Sequence, residues 1–152
     1  MTTEFLFAYG TILHEPADPH VAIAIDRYAE NVDAGYVRGK LYDIGGFPGA
    51  VPLKKDEAGQ ALWVWGTILR LLSPKRVLPI LDDYEEVDFN MPHSGVHRRE
   101  RIEVFQKSNP EEPIECIVYW INKVPSSAKL IKSGSWAKHL ESQAPKRGRR
   151  RV

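Results

Sequence analysis

Apolar residues fall in short runs along this chain, and the spacing within each run predicts its structure. Phe5 to Tyr9 is a continuous apolar run that stops at Gly10. A run this short, ended by a breaker, predicts a buried strand entering a turn. Val21, Ile23, Ala24, Ile25 and Tyr28 predict a short helix over residues 21–30. Gly35 to Asp43 predicts a second strand through Tyr36, Val37, Leu41 and Tyr42. Gly45-Gly46-Phe47-Pro48-Gly49 then predicts a turn, because glycine supplies φ > 0 and proline fixes φ. Ala61 to Leu71 gives the clearest strand pattern. Trp63, Trp65, Thr67 and Leu69 share one face, and Leu62, Val64 and Ile68 share the other. With both faces apolar, a central strand covered on both sides is expected. Gly66 inside it predicts a bulge or a close backbone approach.

Ser73-Pro74 marks a helix start, with a serine N-cap and proline at the first helical position. Val77, Leu81 and Tyr84 follow on one face. Pro79 predicts a kink or a split into two helices. The segment ends in Asp82, Asp83, Glu85 and Glu86, and acids at a helix C-terminus oppose the macrodipole. Residues 87–98 read as a loop. Arg101 to Gln106 and Ile114 to Ile121 read as two strands, with Ser108-Asn109-Pro110 and Pro113 bracketing the turn between them. On the second, Ile117, Tyr119 and Ile121 alternate with Ile114, Cys116, Val118 and Trp120. Ser133 to Glu141 predicts a last short helix. No internal repeat is visible.

The chain has 152 residues, 43% apolar and 27% charged, which is globular composition. One domain over residues 1–144 is expected, followed by a basic, disordered tail at 145–152. The net charge of +1 conceals an asymmetry. Lys146, Arg147, Arg149, Arg150 and Arg151 lie beyond the last acid, Glu141. Removing those five from 21 basic residues leaves 16 against 20 acids. The body is therefore acidic, which argues against a nucleic-acid face on the fold. The tail alone could make non-specific phosphate contacts or bind an acidic partner; its plainer reading is a solubilising appendage. The single cysteine, Cys116, excludes an intrachain disulfide. Met1-Thr2-Thr3-Glu4 lacks a signal peptide's basic start, and no run reaches the ~20 apolar residues of a membrane span. A cytoplasmic protein without membrane association is expected.

The five histidines, His14, His20, His93, His97 and His139, are not spaced like zinc ligands. The glycine-rich turn lacks the lysine and spacing of a phosphate loop. No Gly-x-Ser-x-Gly nucleophile elbow is present. Two features remain. Phe7-Ala8-Tyr9-Gly10-Thr11-Ile12-Leu13 is a strand running into a turn. Successive N–H groups there could converge on an anion; the alternative is a plain strand end. In Leu81-Asp82-Asp83-Tyr84-Glu85-Glu86, a carboxylate beside an aromatic ring could sit partly desolvated, with a pKa raised toward neutrality. The alternative is a solvated acidic helix end. Helical spacing puts Glu85 on the face of Leu81, while Asp83 and Glu86 turn away.

Together these segments resemble the gamma-glutamylcyclotransferase-like family, including its plant avirulence-induced members. Besides the two above, the resemblance runs through Gly39-Lys40-Leu41-Tyr42-Asp43, Phe47-Pro48-Gly49-Ala50, Trp65-Gly66-Thr67-Ile68, Ile117-Val118-Tyr119 and Ser133-Gly134-Ser135-Trp136. It implies an α+β fold, a small mixed β-barrel with short helices packed around it. It implies an enzyme acting on a small-molecule γ-glutamyl amine, peptide or related amide. The substrate's α-amine attacks its own side-chain carbonyl, giving 5-oxoproline and a free amine. Glu85 is the implied acid/base. Tyr9, Gly10, Thr11, Ile12, Leu13 and Tyr119 are the implied substrate-binding residues. No metal or other cofactor is implied. The alternative on the same fold is a non-catalytic protein that binds an amino-acid-like molecule. The chain departs from the family in placing His97 before Arg98-Arg99, where a tyrosine is frequent, and in a long Val87–Val96 loop.

Overall fold

The computed structural model describes residues 3–10, 18–57 and 59–143. The strands among them are β1 (Glu4–Ala8), β2 (Ala29–Asp43), β3 (Pro48–Pro52), β4 (Trp63–Leu71), β5 (His97–Gln106), β6 (Ile114–Ile121) and the short β7 (Lys129–Leu130). The α-helices are α1 (Pro19–Tyr28), α2 (Pro74–Tyr84) and α3 (Trp136–Gln143). Strand neighbours run β3-β2-β4-β1-β6-β5, and β5 also pairs with β2. That last pairing, Gly35 with Gln106 and Tyr36 with Phe105, closes β2, β4, β1, β6 and β5 into a five-stranded barrel. All its pairings are antiparallel except β1 with β6, which run parallel at Leu6 and Ile117. The fold is thus the expected α+β type, a mixed barrel with short helices around it.

Side-chain alternation builds two apolar layers from the same strands. Phe7, Val37, Val64, Ile68, Val104, Cys116, Val118 and Trp120 form part of one buried cluster. Leu6, Ala8, Leu69, Leu71, Ile117 and Tyr119 point the other way, with Val21 and Ala24 of α1 and Val77 and Leu81 of α2. This explains the uninterrupted apolar reading of β1: one parity fills the barrel and the other lies under the helices.

Several local expectations need amendment. β2 begins at Ala29, directly after α1, rather than at Gly35. β5 begins at His97, inside the expected loop. Pro79 neither splits nor ends α2. The bond it removes would end at the carbonyl of Lys75, and both residues are exposed, so solvent can serve that group. Ser73 is the N-cap residue, but its side chain makes no capping bond; its carbonyl accepts from Arg76 and Val77 instead. In α1 the cap is made, by Asp18 accepting from the N–H of His20. β4 is central, but its outer face is only partly covered. Leu69 and Leu71 lie under helices, whereas Trp65 is 37% exposed and packs with Tyr36, which also contacts Trp63 and Phe105.

Gly66 is a site of close approach. A Cβ there would lie 2.5 Å from the carbonyl oxygen of Ala8. The strand irregularity lies elsewhere, between Asn31 and Asp33 of β2. Gly66→Ala should therefore push β1 away from β4 and lower stability by about 1–3 kcal/mol. Urea denaturation checks this, and an unchanged midpoint would contradict so close a contact.

Candidate active site

The last turn of α2 ends in a defined capping arrangement. Val87 N–H bonds to Asp82 O at 3.0 Å and Glu86 N–H to Asp83 O at 3.1 Å. This paired pattern is a Schellman motif, with Glu85 as the C-cap. The following residue must turn left-handed, and here it is Glu86, with φ of 54°. Glycine would adopt that conformation freely; a glutamate holds it at a cost of about 1–2 kcal/mol. The chain after the loop secures it. Val96 N–H bonds to Glu86 O at 3.0 Å, and Val87 forms a parallel bridge with His97.

The turn directs Glu85 into a cavity of about 260 Å³. Phe7, Ala8, Tyr9 and Gly10 line it from the end of β1, Phe47 and Pro48 from the glycine-proline turn, and Tyr119 from β6. Tyr84, Glu85, Glu86, Val96 and His97 complete the wall. Gly10 is required where it stands, because a Cβ would lie 2.4 Å from Pro48 Cγ. The turn that carries Pro48 is held by Asp43, whose Oδ1 accepts from the N–H groups of Gly45 at 3.0 Å and Gly46 at 2.8 Å. These bonds, with His139 on Oδ2 at 2.8 Å, hold the Asp43 carboxyl down to about 2.

The three acids Asp82, Glu85 and Glu86 share a helix end but not an environment. Asp82 accepts from Arg99 Nη1 at 3.0 and 2.7 Å and from the Tyr119 hydroxyl at 2.7 Å. Glu86 is exposed. Glu85 makes no described side-chain hydrogen bond and is surrounded by protein, although the cavity mouth leaves it some access to solvent. Burial pushes its carboxyl up to about 8. A carboxyl tuned this way can exchange a proton near neutrality.

The tyrosines are locked in place. Tyr9 donates its hydroxyl hydrogen to Tyr119 O at 2.6 Å and accepts from Ala50 N–H at 3.3 Å. Burial, and then the nearby Glu85 charge, raise the Tyr9 pKa. Burial also raises that of Tyr119, reinforced by Asp82. Both phenols therefore stay protonated at neutral pH. His97 is 8% exposed, with Nδ1 3.0 Å from the carbonyl oxygen of Glu85. Burial pushes its pKa down despite that bond and the Glu86 charge.

The family model for "Gamma-glutamyl cyclotransferase, AIG2-like" matches residues 6–138. The chain belongs to this family. Among solved structures, an AIG2-like protein from Mus musculus is 21% identical, with a TM-score of 0.65 over 95% of this chain and 92% of that one. A structure described as gamma-glutamyl cyclotransferase is 17% identical, with a TM-score of 0.56 over 85% of this chain and 72% of that one. The protein ytfP from Escherichia coli is 21% identical, with a TM-score of 0.58 over 89% of this chain and 97% of that one. At these identities the structural likeness speaks for the fold. A comparison with curated proteins finds no match.

Of the residues singled out in this family member's sequence, Tyr9, Gly10, Glu85 and Tyr119 line one cavity. Thr11, Ile12 and Leu13 lie outside the described residues, as does the tail at 145–152. Tyr119 offers its ring to the wall, since its hydroxyl is engaged by Asp82. Glu86 borders the cavity as well, but it remains exposed. The sequence reading missed Tyr84 and Phe47 as wall residues and the Asp82–Arg99 pair behind Tyr119. Nothing local marks that pair, whose members stand 17 residues apart.

The raised Glu85 pKa carries a sign that stability can report. In the unfolded chain Glu85 ionises near the ordinary ~4.3. The folded chain keeps that proton up to about 8. Between those values the unfolded state loses a proton that the native state retains, so rising pH costs stability. Glu85→Gln lacks this penalty. Its stability relative to the parent should increase as pH rises through that window and level off above it. Urea denaturation at pH 5, 7 and 9 tests this; a constant difference would mean that Glu85 titrates normally.

Proposed function

We propose that this member of the family is a cyclotransferase acting on a γ-glutamyl amide, with Glu85 as its acid/base. The carrying observation is the Glu85 carboxyl, pushed up to about 8 in a cavity it shares with the end of β1. A free α-amine has a pKa of about 8. A carboxyl of matching pKa can take its proton at little cost. An incoming ammonium also favours the ionised carboxyl, so the empty site can rest protonated and become basic as substrate enters.

In the proposed reaction Glu85 removes a proton from the α-ammonium. The amine nitrogen then forms a bond to the γ-carbonyl carbon of the same molecule and closes a five-membered ring. Collapse of the tetrahedral adduct breaks the bond to the leaving nitrogen, which receives the proton from Glu85; the carboxylate so regenerated takes the second proton from the ring nitrogen and passes it to the departing amine or to solvent. The products are 5-oxoproline and a free amine. Ring closure is intramolecular, so much of the work is holding the substrate curled. The α-carboxylate also needs a partner. Among the described residues no lysine or arginine lines the cavity, which favours backbone N–H groups from Tyr9 and Gly10 onward through Thr11, Ile12 and Leu13. The same groups could polarise the reacting carbonyl.

Incubation with a panel of γ-glutamyl amines and γ-glutamyl amino acids, with 5-oxoproline as readout, tests the reading. The parent should turn over at least one of them, and Glu85→Gln should lower kcat by about 10²–10⁴-fold while ligand binding persists. Binding without turnover by the parent would instead identify a non-catalytic binding protein. Full activity in Glu85→Gln would remove that residue from the chemistry.

A further inference from the structure

His97 opens β5 and is tied on two sides, by its pairing with Ile121 of β6 and by its bridge to Val87. Its ring is buried and forms part of the cavity wall beside Glu85. Nδ1 lies 3.0 Å from the backbone carbonyl oxygen of Glu85. A carbonyl can only accept, so the hydrogen belongs to Nδ1. A neutral imidazole with its hydrogen on Nδ1 has a bare lone pair on Nε2.

No described residue donates to that lone pair. The nearby phenols are committed elsewhere: Tyr9 donates to Tyr119 O, and Tyr119 donates to Asp82. The described atoms that are both fully buried and unpartnered are Trp120 Nε1 and Trp136 Nε1, so Nε2 of His97 keeps access to solvent, and a ligand that displaces water from it must supply a donor in its place. Glu85 lines the cavity and the exposed Glu86 borders it, but no described lysine or arginine does. A donor that is itself a cation suits both the lone pair and the carboxylates.

We propose that His97 orients the α-amine of the substrate, accepting one of its N–H bonds at Nε2 while its Nδ1–H holds the backbone of Glu85. The identity of the amine rests on the cyclotransferase reading; the demand for an N–H donor does not. One ammonium proton goes to Glu85, a second N–H is held by His97, and the freed lone pair then points at the γ-carbonyl; after Glu85 has protonated the leaving nitrogen, it takes the surplus proton from the ring nitrogen. Because one ring holds both the acid/base residue's backbone and the nucleophile, their relative position is set by a single rigid group. His97 thus contributes positioning and no proton transfer.

The titratable groups that share the cavity wall with His97 are Glu85 and Glu86 after α2, Tyr84 of α2, Tyr9 just after β1 and Tyr119 of β6. Protonating His97 would turn Nε2 into a donor that repels an ammonium. The parent's kcat/KM should therefore fall first as Glu85 protonates, below about pH 8, and again as pH drops below the ordinary histidine range of ~6.5.

Two substitutions separate the roles of the two ring nitrogens. His97→Asn keeps a donor near Nδ1 but lacks an acceptor at the position of Nε2. It should fold normally, raise KM for a γ-glutamyl amide roughly ten- to a hundredfold and lose the lower acid step. His97→Gln reaches the position of Nε2 without the Nδ1 bond. It should recover much of KM and lower kcat, since the Glu85 backbone is released. A readout independent of turnover is nitrogen-15 NMR of the histidines in Glu85→Gln, with the His97 signal assigned by its loss in His97→Asn. His97 should show the Nδ1–H tautomer at pH 7. γ-Glutamylethylamide should shift Nε2, and N-ethylglutaramate, which lacks the α-amine, should not. If no γ-glutamyl amide is turned over but this shift appears, the cyclotransferase reading fails and the His97 assignment stands. An Nε2–H tautomer, no shift with the amine-bearing probe, or an unchanged KM and acid limb in His97→Asn would each overturn it.

Discussion

The barrel depends on one strand that pairs along both of its edges. β2 is 15 residues long and serves several neighbours in turn. Ala29 to Arg38 pair with β4, Gly35 and Tyr36 also pair with β5, and Gly39 to Asp43 pair with β3. At the closing point a Cβ on Gly35 would lie 2.9 Å from Ile68 and Val104, so closure needs the one residue without a side chain. Closing the cylinder removes the edges an open sheet would leave exposed. It also fixes β6 beside β1, and that parallel pair brings Tyr119 to the cavity at the end of β1.

From that frame the cavity draws three different chemical states from one acidic run. Asp82 is an ion-paired strut behind Tyr119. Glu85 is buried without a counter-ion, which raises its pKa. Glu86 absorbs a left-handed turn and stays exposed. Local composition is the same for all three; solvation and partners separate them. The residues that hold this arrangement are distant in sequence. Arg99 anchors Asp82, His97 and Val96 secure the chain at Glu85 and Glu86, and the Gly10–Pro48 contact joins β1 to the turn opposite.

The cavity's polarity bears on what it can take. Its described wall has carboxyl groups, aromatic rings and one neutral histidine, but no lysine or arginine. Such a wall suits the cationic end of a ligand better than an anionic one. The absence of a described cation from the wall also leaves the Glu85 carboxyl with the high pKa that burial gives it.

Period and punctuation were enough to find β1, β4, β6, the β5–β6 turn and all three helices, because burial of alternate or fourth residues leaves its mark on local sequence. The strand-to-turn pattern and helical spacing singled out the Tyr9-Gly10 turn and Glu85, and the family resemblance gave them expected roles. The part of β2 before Gly35 was not legible. Glu30, Asn31 and Asp33 face outward there, and backbone pairing with β4 needs no apolar side chains. Nor was the continuity of α2 through Pro79, which rests on an exposed carbonyl. The sequence by itself determined the elements, their apolar faces and the acidic helix end. Tertiary structure alone decided which acid was buried, which was ion-paired, and that His97 would grip the chain at Glu85. Those outcomes depend on solvent exclusion and on partners brought together by barrel closure, and no local pattern encodes them.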